Sequence, residues 1–514
     1  MEPRKPSLFL SLLVLIVVTS LMAVTLALYR QNIHIALIFG SLFATFIGVF
    51  FLKNKYKTVE KSMISGVMSA MQACLILYTV GPLVGIWIYT GVIPSMIYYG
   101  LTLIHPGLYL IVSLLICTIV AFATGTSWGT SGTVGIALMG IAIGLGIPAP
   151  LSAGIIISGA YCGDKLSPNS DTTFVATSVT GATIKGHIKS MLWTTLPTYI
   201  IVLIIATTLS VKYGMGNVDT VKVEAIKTII KSEFWINPIT FIAPIAVIAL
   251  TAMKKPTLPS LWVGILISLP FLYVNGTDLK SILDVMQNGY MPTISQNIIN
   301  NAENALALTS YLADNAIQLT NEEAISAAKE MITFTRRGGL LSMNWTIALV
   351  LCAFTFGSVM EACGFVRTVL ESLMKPAKSV AGMVTATVIS CFVCDFFLAD
   401  QYLSISMPGK MFKPIYDKKG LHSQMLSRTL EDAGTTISAL VPWNTCGAYQ
   451  ANVLNVTTWE YLPFAFFNYL SPFVAIIISS LGIAIYWKGK SGEAYRGGKN
   501  PPFGTLMSRG GNLD

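Results

Sequence analysis

Charge is scarce in this sequence. Only 11% of its 514 residues are Asp, Glu, Lys or Arg, where a soluble domain carries about 25%. That shortfall excludes an ordinary water-soluble fold. Histidine is nearly absent: His34, His105, His187 and His422 are the four, too scattered to share a metal. Among the eight cysteines only Cys391-Phe-Val-Cys394 makes a C-x-x-C, and no second pair accompanies it, which speaks against a zinc site or a disulfide framework. Cys74, Cys117, Cys352, Cys363 and Cys391 lie in apolar surroundings and read as small membrane residues. No Walker or HExxH motif occurs, and Gly125-Thr-Ser-Trp-Gly129 fits GxSxG only as a pattern, with no nucleophile–base or metal constellation to go with it. The net charge of +9 is not a nucleic-acid signal, because the basic residues lie in short connections and at the tail.

What is present is apolar: 54% of residues are hydrophobic, and the mean hydropathy is +0.67. Repeated runs near the length of a bilayer crossing predict an all-α polytopic membrane protein with about twelve to fourteen membrane segments. Residues 8–28 are too long an apolar core for a signal peptide and read as an uncleaved helix. Six regions follow: two N-terminal membrane helices (1–61), a first repeat (62–211), a linker with two membrane helices at 238–253 and 258–274 (212–275), a polar extracytoplasmic region (276–340), a second repeat (341–487) and a basic tail (488–514). Lysines at 53, 55, 57 and 61, and the tail charges from Lys488 to Arg509, place both termini in the cytoplasm. Gly81-Pro82 predicts a kink, and Thr320-Asn-Glu-Glu323 a capping box opening a helix to about residue 335. The last span is expected over 462–487.

The chain is centred on residues 159–173, Gly-Ala-Tyr-Cys-Gly-Asp-Lys-Leu-Ser-Pro-Asn-Ser-Asp-Thr-Thr. Non-helical backbone at membrane depth survives only where protein or a water-filled cavity surrounds it, and ionisable residues there are functional by default. Asp164 and Asp171, among the oxygens of Ser167, Asn169, Thr172 and Thr173, make a hard-oxygen set suited to a small cation and a proton. Asp164, Asp171 and Thr172 are the first candidates for the cation. The bland alternative is a surface loop in which Asp164 caps a helix. Lys165 either pairs with a carboxylate or snorkels to the surface.

Residues 124–133, Thr-Gly-Thr-Ser-Trp-Gly-Thr-Ser-Gly-Thr, lose helical propensity and offer Ser127 and Thr130 as hydroxyl ligands and Trp128 as a cavity wall. Small residues also let membrane helices pack closely, which is the competing reading. In the second repeat, Asp395, Asp400, Glu431 and Asp432 are the acidic candidates. Asp432 with Thr435-Thr436 resembles Asp171-Thr172-Thr173. Glu431 beside Arg428 reads as a structural pair, and Glu361 as the end of a span. Asn444 and Thr445, after Pro442-Trp443, offer neutral oxygens. The halves align in kind: Thr126 with Asp400 (400 − 126 = 274) and Asp164 with Asp432 (432 − 164 = 268). Charge bias gives them opposite orientations, the pattern of secondary transporters with broken helices and a site at the repeat interface.

Gly125-Thr-Ser-Trp-Gly-Thr130, the Gly163-Asp-x-x-Ser-Pro-x-x-Asp-Thr-Thr173 block, and Leu430-Glu-Asp-Ala-Gly-Thr435 with Pro442-Trp-Asn-Thr-Cys-Gly447 together resemble the NhaC-type Na⁺/H⁺ antiporter family over about residues 60–485. The resemblance implies a bacterial inner-membrane carrier with inverted repeats and helical hairpins. It implies Na⁺ (or Li⁺) and H⁺ as transported ions, with no organic cofactor. Relatives of this kind also include exchangers of malate for lactate and carriers of amino acids, so a small organic substrate is the alternative. The expected proton-coupling residues are Asp164, Asp171 and Asp432, and the state of assembly, a homodimer included, is left open.

Overall fold

The computed structural model describes residues 4–29, 32–214, 220–275 and 278–505; Arg509 of the basic tail lies outside them. The elements run α1 (Leu8–Ala23), α2 (His34–Phe46), α3 (Tyr56–Tyr89), α4 (Val92–Leu103), α5 (Tyr109–Thr124), α6 (127–144), α7 (Ala149–Leu166), α8 (Asp171–Thr180) and α9 (Ile184–Gly214). Next come α10 (Thr220–Glu233), α11 (Ile242–Ala252), α12 (Thr257–Ser268), α13 (Leu279–Asn288), α14 (Thr293–Asn300), α15 (Ala305–Asp314) and α16 (Asn321–Thr335). The second membrane half is α17 (Asn344–Ala362), α18 (Phe365–Met374), α19 (Val380–Leu398), α20 (Gln401–Lys418), α21 (423–438), α22 (Thr445–Leu454), α23 (Thr458–Tyr461) and α24 (Phe466–Leu481). Strands β1 (Ile485–Lys488) and β2 (Ala494–Gly497) pair antiparallel after it. Helices α6 and α21 each contain a π-helical turn, Ser131–Gly135 and Glu431–Thr435.

Among the described residues, seven helices are long and apolar enough to cross a bilayer, and two bent pairs would raise this to nine. The remaining expected segments are short or broken helices. Phe9, Ile16, Ile119 and Ile204 are each more than half exposed, a cost in water and no cost against lipid chains. Many buried hydroxyls bond to a carbonyl one turn back in their own helix: Ser158 donates to Gly154 and Thr180 to Ala176, both at 2.7 Å. All eight cysteines are free.

Helices α1 and α2 pack on the second half, α1 against α18 and α2 against α17. Lys5 pairs with Glu371 at that contact. The tightest approach within the first half is α5 on α7. A Cβ on Gly159 would lie 2.6 Å from the Leu114 carbonyl, and one on Gly163 2.7 Å from the Phe122 amide. Two small residues four apart let the backbones meet, and this contact fixes where α7 delivers its C-terminal residues.

The polar regions fold together. The capping box is present, with Thr320 and Glu323 bonding reciprocally at the start of α16, as the sequence predicts. Glu233, ending α10, accepts from the backbone amides of Ile294 (3.1 Å) and Ser295 (2.9 Å) at the start of α14, a carboxylate at the positive end of a helix.

Helix α3 continues through Pro82, and the Gly339 amide docks on the Gly81 carbonyl at 2.7 Å, so these residues seat the polar region. Several expectations are corrected. The expected span at 238–253 contains an 11-residue α11, which meets α10 across an 85° bend, and α12 is also too short to cross alone. The loss of helix at 124–133 is confined to Gly125-Thr126, and α6 resumes at Ser127. Helix α20 runs through Pro408-Gly409, where Gly409 makes room for Val179 of α8. Arg428 is buried within the protein. The last span ends at Leu481, capped by left-handed Gly482, and residues 485–488 form β1.

Gly163→Ala is expected to lower stability by about 1–3 kcal/mol through overpacking of α5 on α7. Gly498→Ala, where an added Cβ meets only an ordinary contact, is expected to leave thermal unfolding in detergent unchanged. Equal melting of both variants would refute the close-contact argument.

Candidate functional site

Two helices stop and restart inside the protein with the same local geometry. Helix α5 ends on left-handed Gly125 (φ 70°), and Thr126 then caps α6, its hydroxyl accepting from the Gly129 amide at 3.1 Å. Helix α19 ends on left-handed Ala399 (φ 60°), and Asp400 then caps α20, accepting from the Leu403 amide at 2.8 Å. A second pair of restarts follows, α8 after extended Ser170 and α22 after extended Asn444, whose side chain caps it. Both pairs are 274 residues apart (400 − 126 and 444 − 170).

The same offset sets Ser127 against Gln401 and Asp164 against Ser438 (164 + 274). Contacts agree with this register: the Ser127 amide donates to Asp164 Oδ2 at 2.9 Å, and Ser438 Oγ to Gln401 Oε1 at 3.4 Å. The expected match of Asp164 with Asp432 is therefore corrected. Asp432 lies six residues earlier, in the π-helical turn of α21.

The restarts surround one cavity of about 360 Å³. Asp164, Asp171 and Asp400 face it, with Thr126, Ser127, Thr172, Gln401 and Thr445. Helix α3 closes one side with Ser69, Gln72 and Ile76. Trp128 forms a wall as expected, stacked on Tyr449 with ring centroids 4.2 Å apart. Asp164 is buried; Oδ2 holds the Ser127 amide, and Oδ1 has no protein partner among the described residues. Asp164 caps the start of α6 and faces the cavity, and it does so from within the buried α7, not from the surface loop of the alternative reading. Asp171 is exposed toward the opening. No Lys, Arg or His lines the cavity among the described residues.

The other expected ligands lie behind the wall. Thr130 donates to the Thr126 carbonyl (3.0 Å), and Ser167 accepts the Asn169 amide (3.2 Å). Asn169 is half-buried in the break, and Thr173 is buried away from the cavity. Asn444 turns its side chain to the Cys446 amide (3.1 Å) and to Asp395 (3.2 Å). Thr435 donates to Glu431 at 2.8 Å. Glu431 makes no pair with Arg428, contrary to expectation; its partners are Thr172 and Thr435. Asp432 does not reach the cavity. It pairs with Lys165, fully buried, and also accepts from Thr194 at 2.8 Å. Lys165 therefore does not snorkel.

Sequence reasoning missed Gln401, Tyr402 and Tyr449 as lining residues. Gln401 follows Asp400, so its place at a helix restart was the available signal. Nothing local marks Tyr449.

A polytopic helical bundle whose broken helices restart around one acidic, membrane-embedded cavity defines a secondary transporter. Comparison with known proteins gives the family. The profile of the Na⁺/H⁺ antiporter family matches residues 6–205 and 159–483, and the chain belongs to that family. It is 34% identical to the Na⁺/H⁺ antiporter NhaC of Alkalihalophilus pseudofirmus, over 94% of this chain and 97% of that protein. It is also 34% identical to the malate-2H⁺/Na⁺-lactate antiporter of Bacillus subtilis, over 95% of this chain and 97% of that protein. The Na⁺/H⁺ antiporter NhaC of Bacillus subtilis is 34% identical over 82% of this chain and 87% of that protein.

Breaking the buried Lys165–Asp432 pair from one side leaves an uncompensated charge, so Lys165→Met is expected to cost about 3–5 kcal/mol. Removing both charges in Lys165→Met/Asp432→Leu should restore most of that stability. Thermal unfolding in detergent decides, and a single variant as stable as the parent would sink the assignment.

Proposed function

We propose that this chain exchanges Na⁺ (or Li⁺) for H⁺ across a bacterial inner membrane by alternating access. The observation that carries the reading is the cavity itself, with three carboxylates and no basic side chain among the described residues. Four helices, α6, α8, α20 and α22, begin at its wall. Their N-terminal ends favour negative charge there, and the C-terminal ends of α5 and α19 at the same breaks oppose it, so the helix ends leave the three carboxylates in need of positive charge. A monovalent cation or a proton supplies it. Asp164, Asp171 and Asp400 are the groups on which the two compete, because oxygen lone pairs holding a cation are not free for a proton. Ser127, Thr172 and Thr445 supply neutral oxygens. Asp432, held by Lys165, acts as a structural charge here rather than as the second-half ligand expected from the sequence.

The matched helix restarts support two repeats of opposite orientation, with both termini cytoplasmic and residues 278–340 outside. No organic cofactor is required, since the cargo ions are the chemistry. An exchange of more than one H⁺ per Na⁺ would draw on the membrane potential, each net charge being worth about 2.3 kcal/mol per 100 mV.

A second reading is favoured by the cavity's volume. About 360 Å³ exceeds a bare cation and falls in the range of small-ligand sites, roughly 300–1,000 Å³. A Na⁺-coupled exchange of small organic acids or amino acids would use that room, and the malate/lactate relative supports it.

Liposomes holding the protein and a pH dye test the first reading. Added Na⁺ or Li⁺ should drive proton efflux, K⁺ should not, and Asp164→Asn should abolish the signal. No efflux from active preparations, together with Na⁺-dependent uptake of labelled malate, lactate or amino acids, would establish the second reading instead. Equal rates at zero and negative potential would remove the electrogenic stoichiometry.

A further inference from the structure

Behind Thr172 lies a buried carboxylate that the cavity does not use. Glu431 is fully buried. Its Oε1 accepts the hydroxyl hydrogens of Thr172 (2.6 Å) and Thr435 (2.8 Å). Its Oε2 has no hydrogen-bond partner among the described residues. The basic side chains closest in sequence and packing are engaged elsewhere. Lys165 holds Asp432 and donates to Ser471 at 2.8 Å. Arg428 donates to the carbonyl of Ala484 at 3.1 Å and to Met425 Sδ at 3.4 Å. A buried carboxylate without a counter-charge is strongly destabilising, so either a proton or a bound cation must balance it.

The surroundings say what. Glu431 opens the π-helical turn Glu431–Thr435, a distortion found often at functional sites. Its neighbours are neutral hydroxyls, a hard-oxygen environment. One carboxylate among neutral oxygens matches a single positive charge, and a divalent ion would stay half-compensated. There is also a route in. Ser170 Oγ and Thr172 Oγ1 are 2.9 Å apart and both residues line the cavity, and Thr172 hands the contact on to Glu431.

We propose that Glu431, Thr435 and Thr172 form a second monovalent-cation site one hydroxyl behind the cavity. The proposal rests on the cavity holding a cation, as argued above. Thr172 belongs to both sites, so occupancy of one is felt at the other.

The test is equilibrium binding of radiolabelled Na⁺ to the purified full-length chain in detergent, with thermal unfolding of each variant as a folding check. Glu431→Gln is expected to bind one Na⁺ fewer than the parent, and Asp164→Asn to lose the other one. Undiminished stoichiometry and affinity in Glu431→Gln would overturn the second site, as would a parent that binds a single Na⁺. Undiminished binding in Asp164→Asn, with a loss in Glu431→Gln, would instead strike the cavity reading and leave this site standing. Should Glu431→Gln not fold, Thr435→Val removes one ligand hydroxyl at constant shape. It is expected to weaken the second Na⁺ by about tenfold, and unchanged affinity there overturns the proposal.

Discussion

Everything at the centre of this protein follows from one constraint: a backbone amide at membrane depth must find its partner within the protein. A helix that stops there exposes amides and carbonyls with no water to take them. This fold solves the problem by letting the stops face each other. The Ser127 amide at the start of α6 meets the Asp164 carboxylate from the end of α7. Thr126 and Asp400 cap their own helices. The polar side chains that satisfy the breaks are the same ones that line the cavity, so the cavity is the consequence of ending helices inside the bilayer.

The buried charges divide by whether the protein itself balances them. Asp432 is matched by Lys165, and that pair ties α7 to α21, with Ser471 bringing in α24 and Thr194 bringing in α9. Lys165 lies next in sequence to Asp164, so the stability of the pair and the aim of the cavity carboxylate share a helix end. Asp164, Asp400 and Glu431 have no basic partner among the described residues. A protein that keeps carboxylates buried without basic partners tolerates a large desolvation cost, which makes sense when the missing charge arrives and leaves as cargo.

Much of this was legible in advance. The long apolar runs gave α1, α2, α3, α5, α9, α17 and α19 because a 20-residue stretch in hydrocarbon has few alternatives to helix. The capping box gave the start of α16, since that signal is local. Asp164, Asp171, Thr172, Ser127, Asp400 and Thr445 were chosen from polarity inside apolar sequence, and all six face the cavity. Errors came where polarity had more than one use. Asp432 has the same chemistry as Asp164, and only the position of Lys165 separates a paired charge from a free one.

By itself, then, the sequence determined the membrane setting, the main helices and the residues whose burial demands an explanation, because hydropathy, caps and breaks act over a turn or two of chain. Tertiary structure alone decided which carboxylates share a space, which are neutralised by a lysine, and that Glu431 accepts the hydroxyl of the cavity-lining Thr172. These depend on contacts between residues hundreds of positions apart, such as Lys165 with Asp432 and Trp128 with Tyr449. No local pattern encodes which of several similar side chains will meet once the halves fold together.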